Sequence, residues 1–81
     1  MNFHRRLGPD PHAQGMQSVG LNGCPDLWEL DNGDIAVIGI DITVTCASKL
    51  PPTAGCGPDE RIVRVPRGVF LAAKADVALL H

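Results

Sequence analysis

Aromatic residues and excess positive charge are both scarce in this chain. Among its 81 residues are one tryptophan, two phenylalanines and no tyrosine, so the sequence offers little for stacking nucleic-acid bases. Seven lysines and arginines stand against nine acidic residues, which gives a formal net charge of -2. Nucleic-acid-binding domains normally carry a strongly basic face, and this composition therefore argues against nucleic acid as the partner.

Long apolar runs are also missing. No stretch approaches the roughly 20 apolar residues of a transmembrane helix, and no apolar segment follows the basic residues at positions 4–6 as it would in a signal peptide. Three cysteines, an odd number, fit reduced thiols better than a set of disulfides. These absences predict a cytoplasmic protein without a membrane partner.

The sequence lacks the residue groupings of common catalytic and metal sites. No histidine lies within a predicted helix or strand, and there is no G-x-S-x-G or phosphate-binding glycine motif. Structural zinc sites usually contain a closely spaced cysteine pair, and none occurs among Cys24, Cys46 and Cys56. We therefore predict no enzymatic activity, no metal and no cofactor, with a cysteine-based metal or redox protein as an alternative.

The clearest positive pattern is a β-hairpin. Two predicted strands, residues 26–30 and 35–44, flank Asn32-Gly33, the preferred pair for a two-residue type I′ turn. The second strand is β-branched and almost continuously apolar, which predicts the middle strand of a sheet, covered on both faces.

Shorter elements follow the hairpin. Residues 45–50 are compatible with one or two helical turns that end before Pro51. Residues 61–65 predict a third strand, at a sheet edge because Pro66 follows it. A C-terminal helix is predicted to begin near Pro66, with an apolar stripe formed by Phe70, Ala73, Val77 and Leu80.

Together these elements predict an α+β fold: a small three-stranded antiparallel sheet, made of the hairpin and the third strand, with the C-terminal helix packed on one face. Residues 1–22 show no apolar periodicity and are predicted to be a flexible tail, which leaves residues 23–81 as one small domain. A domain of about 60 residues is marginally stable alone, and oligomerisation or docking on a partner commonly supplies the additional stability.

Charged residues in and beside the strands have structural explanations. Asp41 and Arg64 interrupt neighbouring apolar strands, which suggests a cross-strand ion pair or, alternatively, a polar ligand contact. The acidic residues around the hairpin do not follow the order of a calcium-binding loop, and turn chemistry accounts for them. They are Asp26, Glu29, Asp31 and Asp34.

Three segments, CPDLWEL at 24–30, GDIAVIG at 33–39 and GPDERIVRVPR at 57–67, resemble a group of small uncharacterised bacterial proteins. The shared layout is CPD..EL...GD.AVIG.D.T...GPDERIV..PR, and it covers residues 24–81. The long N-terminal segment departs from this layout. The resemblance implies a bacterial, cytoplasmic setting and no particular chemistry.

The favoured function is a small interaction or regulatory protein that binds another protein or a second copy of itself. Leu27 and Trp28 point to opposite faces of one strand, and a single helix can cover only one of them, so the other face is expected to be an apolar patch. An alternative is a nucleic-acid-binding regulator that uses Arg61, Arg64 and Arg67, although Arg64 would point away from the other two. The candidate partner contacts are Leu27, Trp28, Asp31, Asp34, Arg61, Arg64 and Arg67.

Overall fold

The computed structural model describes residues 1–10 and 24–80. A three-stranded antiparallel sheet contains β1 (Phe3–Arg6), β2 (Asp26–Leu30) and β3 (Ile35–Ile38), in the order β1-β2-β3. The predicted α+β class and three-stranded antiparallel sheet are confirmed, but the central strand is β2 and not the apolar strand that follows the turn.

The other elements are short. They are β4 (Ile40–Asp41), α1 (Thr43–Cys46), a 3₁₀ turn (Ala47–Lys49), β5 (Val63–Arg64), α2 (Arg67–Ala72) and α3 (Lys74–Val77). β4 and β5 form a separate antiparallel pair. The helical turns after β4 end before Pro51, as predicted. Within the part of the chain that the structure describes, no helix has both the length and the apolar character needed to cross a membrane.

The N-terminal residues contribute a strand to the sheet. Arg6 lies opposite Trp28, and the Leu7 backbone N–H donates to the Leu27 carbonyl at 2.8 Å. This corrects the prediction of a flexible tail for residues 3–7. The pairing shifts register between Phe3 and Arg5, and this irregularity hides the alternation by which a strand is recognised. Residues 11–22 of the predicted tail lie outside the described residues.

The hairpin is confirmed, but its loop contains three residues. The Leu30 N–H donates to the Asp34 carbonyl at 2.8 Å, and the Gly33 N–H donates to the Leu30 carbonyl at 3.0 Å. Gly33 has a φ of 93°, which glycine adopts without steric cost. A turn followed by such a glycine is the usual three-residue hairpin loop, in place of the predicted two-residue type I′ turn.

The predicted strand 35–44 is interrupted at Gly39, where the chain changes its pairing partner. β3 pairs with β2, whereas β4 pairs with β5. A Cβ atom on Gly39 would lie 2.5 Å from the Arg64 carbonyl oxygen, so only glycine allows β5 to approach this closely. The prediction that residues 61–65 supply the third strand of the main sheet is therefore wrong, because β1 holds that place.

The C-terminal segment covers one face of the sheet. Leu7, Leu27 and Ala73 form the core at 3%, 5% and 0% exposure, and Leu80 packs against them. Of the predicted apolar stripe on the C-terminal helix, Ala73 and Leu80 face the core as expected, whereas the other two residues do not. The Ala73 N–H donates to the Phe70 carbonyl at 3.2 Å, a tight turn that separates α2 from α3, and Phe70 and Val77 are left exposed.

Candidate interaction surface

Alternation along β2 divides the sheet into two different faces. Leu27 points into the core beneath the C-terminal helices, so its predicted role as a partner contact is wrong. Trp28 points to the opposite face and is half-buried. We call this opposite face the open face, and the cross-strand pairings place on it Phe3, Arg6, Asp26, Trp28 and Ile38.

Trp28 is held between two side chains of β1. The ring of Phe3 meets the indole edge-on, with centroids 5.6 Å apart and an interplanar angle of 70°. The guanidinium carbon of Arg6 lies 4.5 Å from the indole centroid, which is cation–π geometry. Because neighbours fix its orientation, Trp28 needs little further ordering on binding, which favours affinity.

The guanidinium of Arg6 also forms a two-pronged ion pair with Asp26. Its Nε donates to both carboxylate oxygens at 3.1 Å, and a terminal nitrogen lies 3.1 Å from Oδ2. Asp26 is buried and accepts a further hydrogen bond from the Leu27 N–H at 3.1 Å. A buried carboxylate requires such partners, so Arg6 supports both the fold and the position of the indole.

The open face borders two adjoining pockets. One, of about 470 Å³, is lined by Phe3, Trp28 and Ile38 together with the Arg6–Asp26 ion pair. The second, of about 340 Å³, lies between Ile38, Ile40 and Arg64. Both pockets are lined by Cys24 and Ile38, so they lie side by side, and we call the two together the apolar depression. Charged residues contribute to its lining: Arg6, Asp10 and Asp26 in the first pocket and Arg64 in the second.

The acidic residues predicted as partner contacts lie in the hairpin loop or directly after it. Asp31 and Asp34 are exposed. The Asp34 N–H donates to Asn32 Oδ1 at 2.9 Å, and Asn32 Nδ2 donates to Asp34 Oδ2 at 3.2 Å. These bonds stabilise the turn, and they leave two carboxylates at the end of the sheet where β3 begins.

The three candidate arginines have different surroundings. Arg61, not Arg64, pairs with Asp41: its Nε donates to Oδ2 at 3.0 Å, which corrects the predicted Asp41–Arg64 pair. Hydrogen bonds from Thr43 and then from Arg61 lower the pKa of Asp41 to about 2. Arg64 lies opposite Ile40, and Arg67 is exposed at the first residue of α2.

The cysteines lie on separate elements. Cys24 is buried just before β2, Cys46 ends α1, and Cys56 lies in the loop before β5, where its thiol donates to the Glu60 carbonyl at 3.3 Å. Across residues 1–10 and 24–80, no group of three or more His, Cys, Asp and Glu side chains is arranged to hold a metal ion.

No family model matches this chain, and neither a curated protein nor a solved structure matches it. The resemblance to small bacterial proteins therefore stays a prediction, and the open face is the principal guide to function. Sequence reasoning missed Phe3 and Arg6 on this face, because both fell within the predicted tail. Phe3 and Arg6 lie on the same face although they are three positions apart, because the pairing shifts register between Phe3 and Arg5. Their spacing therefore lacks the period of two that indicates a strand.

Proposed function

We propose that this chain is a small non-catalytic interaction or regulatory protein that binds another protein through the open face. An accessory subunit, an antitoxin-like protein or an immunity-like protein of the bacterial cytoplasm fits this description. The observation that carries the proposal is the Trp28 cluster: an indole fixed by Phe3 and Arg6 beside the apolar depression. Tryptophan and arginine are the residues most enriched among binding hot spots.

The distribution of apolar side chains supports the proposal. Among the described residues, four hydrophobic ones are buried, whereas twelve large ones are exposed. On the open face, Phe3 is 60% exposed and Ile38 is 46% exposed. Single exposed apolar residues are ordinary, but a contiguous group rimmed by polar side chains is typical of a protein-binding surface.

The Arg6–Asp26 ion pair beside the depression determines which partner side chains the surface can accept. Arg6 satisfies Asp26, so the charge of Asp26 beside the depression is already compensated. An apolar or aromatic side chain of the partner can therefore enter beside Trp28 without leaving a buried charge unpaired. We expect the partner to supply such a side chain.

The experiment is affinity capture from a bacterial extract, followed by titration of each captured protein against purified chain. Trp28 is the sole tryptophan, so its fluorescence in the wild-type protein reports binding at the proposed surface, and titration calorimetry compares the affinities of all variants, including the one that lacks this residue. Trp28→Ala is expected to weaken binding by at least about 2 kcal/mol, or about 30-fold, if the indole is a central anchor.

Phe70→Ala is the matched control, because it removes an exposed aromatic ring from α2 and leaves the open face unchanged. A partner that binds wild-type protein and the Phe70 variant, but not the Trp28 variant, supports the proposal. Equal affinity for all three proteins would contradict it.

A further inference from the structure

Among the residues that the structure describes, Arg64 is the one charged residue in the lining of the second pocket of the apolar depression. Ile38, Ile40 and Pro66 supply apolar walls, and Cys24 is buried beside them. The pairing of β4 with β5 places Ile40 opposite Arg64, and directly opposed residues of an antiparallel pair share a face. The Arg64 side chain therefore leaves β5 on the same face as Ile40, at the wall of the pocket.

The contacts of Gly39 support this direction. A Cβ atom on Gly39 would lie 2.8 Å from Val63 Cγ1 and 2.9 Å from Val65 Cγ1, so the side chains of these two valines leave β5 on the Gly39 face. Successive side chains of a strand point to opposite faces. Arg64, which lies between the two valines, is thus on the other face, together with Ile40.

The charge of Arg64 has no partner within residues 1–10 and 24–80. Three other arginines are paired: Arg5, Arg6 and Arg61 each lie within 3.6 Å of a carboxylate oxygen. Arg64 is exposed and forms neither an ion pair nor a side-chain hydrogen bond with the described residues. A guanidinium with unused donors at the wall of an apolar pocket is suited to a carboxylate of a ligand.

The two ends of the apolar depression therefore differ. At the Trp28 end, Arg6 is already bound to Asp26, and a neutral apolar or aromatic side chain can enter there. At the Arg64 end the walls are apolar, but the cation lacks a partner. A ligand that occupies both pockets matches this surface best when an apolar group is joined to a negative charge.

The spacing between the two ends indicates the length of such a ligand. Trp28 lies opposite Ala36, and Arg64 lies opposite Ile40. Ala36 and Ile40 are four positions apart, and four positions of extended chain span no more than about 14 Å. An extended peptide whose apolar and acidic side chains are also four positions apart covers the same span, with both side chains on one face.

We propose that the apolar depression binds a segment of another protein in which an apolar or aromatic side chain and a carboxylate lie about four residues apart, and that Arg64 binds this carboxylate. This inference rests on the proposed function and adds the chemistry of the partner. Nucleic acid matches the surface less well, because a phosphate backbone is bound by several cations, whereas the net charge of the chain is -2.

Synthetic peptides test the inference without a captured partner. The probe is an acetylated and amidated peptide of sequence GFAAADG, and in its companions asparagine or lysine replaces the aspartate. Titrations of the full-length chain are followed by NMR, which suits weak complexes and every variant. The aspartate peptide should bind at least about fivefold more tightly than the asparagine peptide. This is the upper end for an exposed ion pair, because the apolar walls exclude part of the water.

Substitution of Arg64 should remove this preference. In Arg64→Gln the two peptides should bind equally, whereas Arg64→Lys, which keeps the charge, should retain part of the preference. Arg67→Gln is the matched control: it removes the same charge from an exposed residue at the start of α2 that is not part of the pocket lining. The fold of each variant, followed by circular dichroism, should persist, because Arg64 has no side-chain partner to lose.

The results separate this inference from the proposed function. A preference for aspartate that is lost in Arg64→Gln and kept in Arg67→Gln supports the inference. Equal or absent binding of the aspartate and asparagine peptides overturns it, and if both peptides bind and require Trp28, the proposed function still stands. Binding that is unchanged in Trp28→Ala contradicts both proposals. Loss of the preference in both arginine variants, tighter binding of the lysine peptide, or displacement of the peptide by a single-stranded oligonucleotide also overturns the inference.

Discussion

Leu7 offers the most direct test of the N-terminal strand, because it is one of three side chains that form the core cluster among residues 1–10 and 24–80. It is 3% exposed, and its neighbours Leu27 and Ala73 belong to distant parts of the chain. Replacement of a buried leucine by alanine costs about 2–5 kcal/mol. The core here is thin and can partly collapse around the lost atoms, so we expect Leu7→Ala to cost about 2–3 kcal/mol, near the lower end of that range.

This loss is a large fraction of the free energy of unfolding of the whole chain. At 0.05–0.15 kcal/mol per residue, a chain of this length has a free energy of unfolding of about 4–12 kcal/mol. With an m-value near 1 kcal/mol/M in urea, the midpoint of unfolding should fall by about 2–3 M. Urea titration followed by circular dichroism measures this shift, and an unchanged m-value would show that stability alone has changed.

Leu71→Ala is the matched control, since it deletes the same atoms from an exposed leucine of α2. We expect it to change stability by less than about 0.5 kcal/mol. If Leu7→Ala changes the midpoint as little as Leu71→Ala does, while Leu27→Ala remains costly, then the N-terminal strand does not contribute to the core and the reasoning fails.

Three further predictions concern charge and metal. Arg6→Ala should lower the free energy of unfolding by about 2–3 kcal/mol, because it leaves buried Asp26 without its ion pair. Arg5→Ala is the control: it removes a longer ion pair, 3.6 Å to Glu29, and should lower the free energy of unfolding much less. Equal losses in urea titration would contradict the stabilising role of the Arg6–Asp26 pair. The folded-state pKa of Asp41, about 2 against 3.8 for the free group, predicts a stabilisation that is present above about pH 4 and lost as pH falls towards 2. Asp41→Asn should remove this part of the acid dependence, and identical acid titrations of the two proteins would refute it. Purified protein should contain no stoichiometric zinc, and elemental analysis that finds about one zinc per chain, lost on Cys→Ser change, would overturn that prediction.

The sequence allowed prediction of those features that depend on neighbouring residues. The hairpin follows from alternation in residues 26–30 and from a turn sequence, and both are local. The two faces of β2 likewise follow from the adjacent Leu27 and Trp28. Which of these faces the helices cover depends on where Ala73 packs, and alternation carries no information about that.

The errors arose where partners are distant in sequence. β1 was missed because its bulge removes the period of two, and because nothing local indicates that it pairs with β2. Asp41 was assigned to Arg64 rather than Arg61, since the register of a pair as short as β4 and β5 is set by the Gly39 contact and by hydrogen bonds of Thr43. The positions of Phe3 and Arg6 on the open face were not predicted for the same reason, because both residues belong to β1.

The position of β1 has a consequence for how the chain acquires its structure. Arg6 meets Asp26 across a separation of 20 residues, whereas β2 and β3 are joined by a three-residue loop. Closing the longer loop costs about 2 kcal/mol more in chain entropy, so the hairpin should form before β1 joins it. During synthesis, at 5–20 residues per second, residues 3–7 leave the ribosome about one to a few seconds before their pairing partner exists. β1 thus joins a hairpin that is already formed, and Leu7 and Phe3 reach the two faces of the sheet together in that one step.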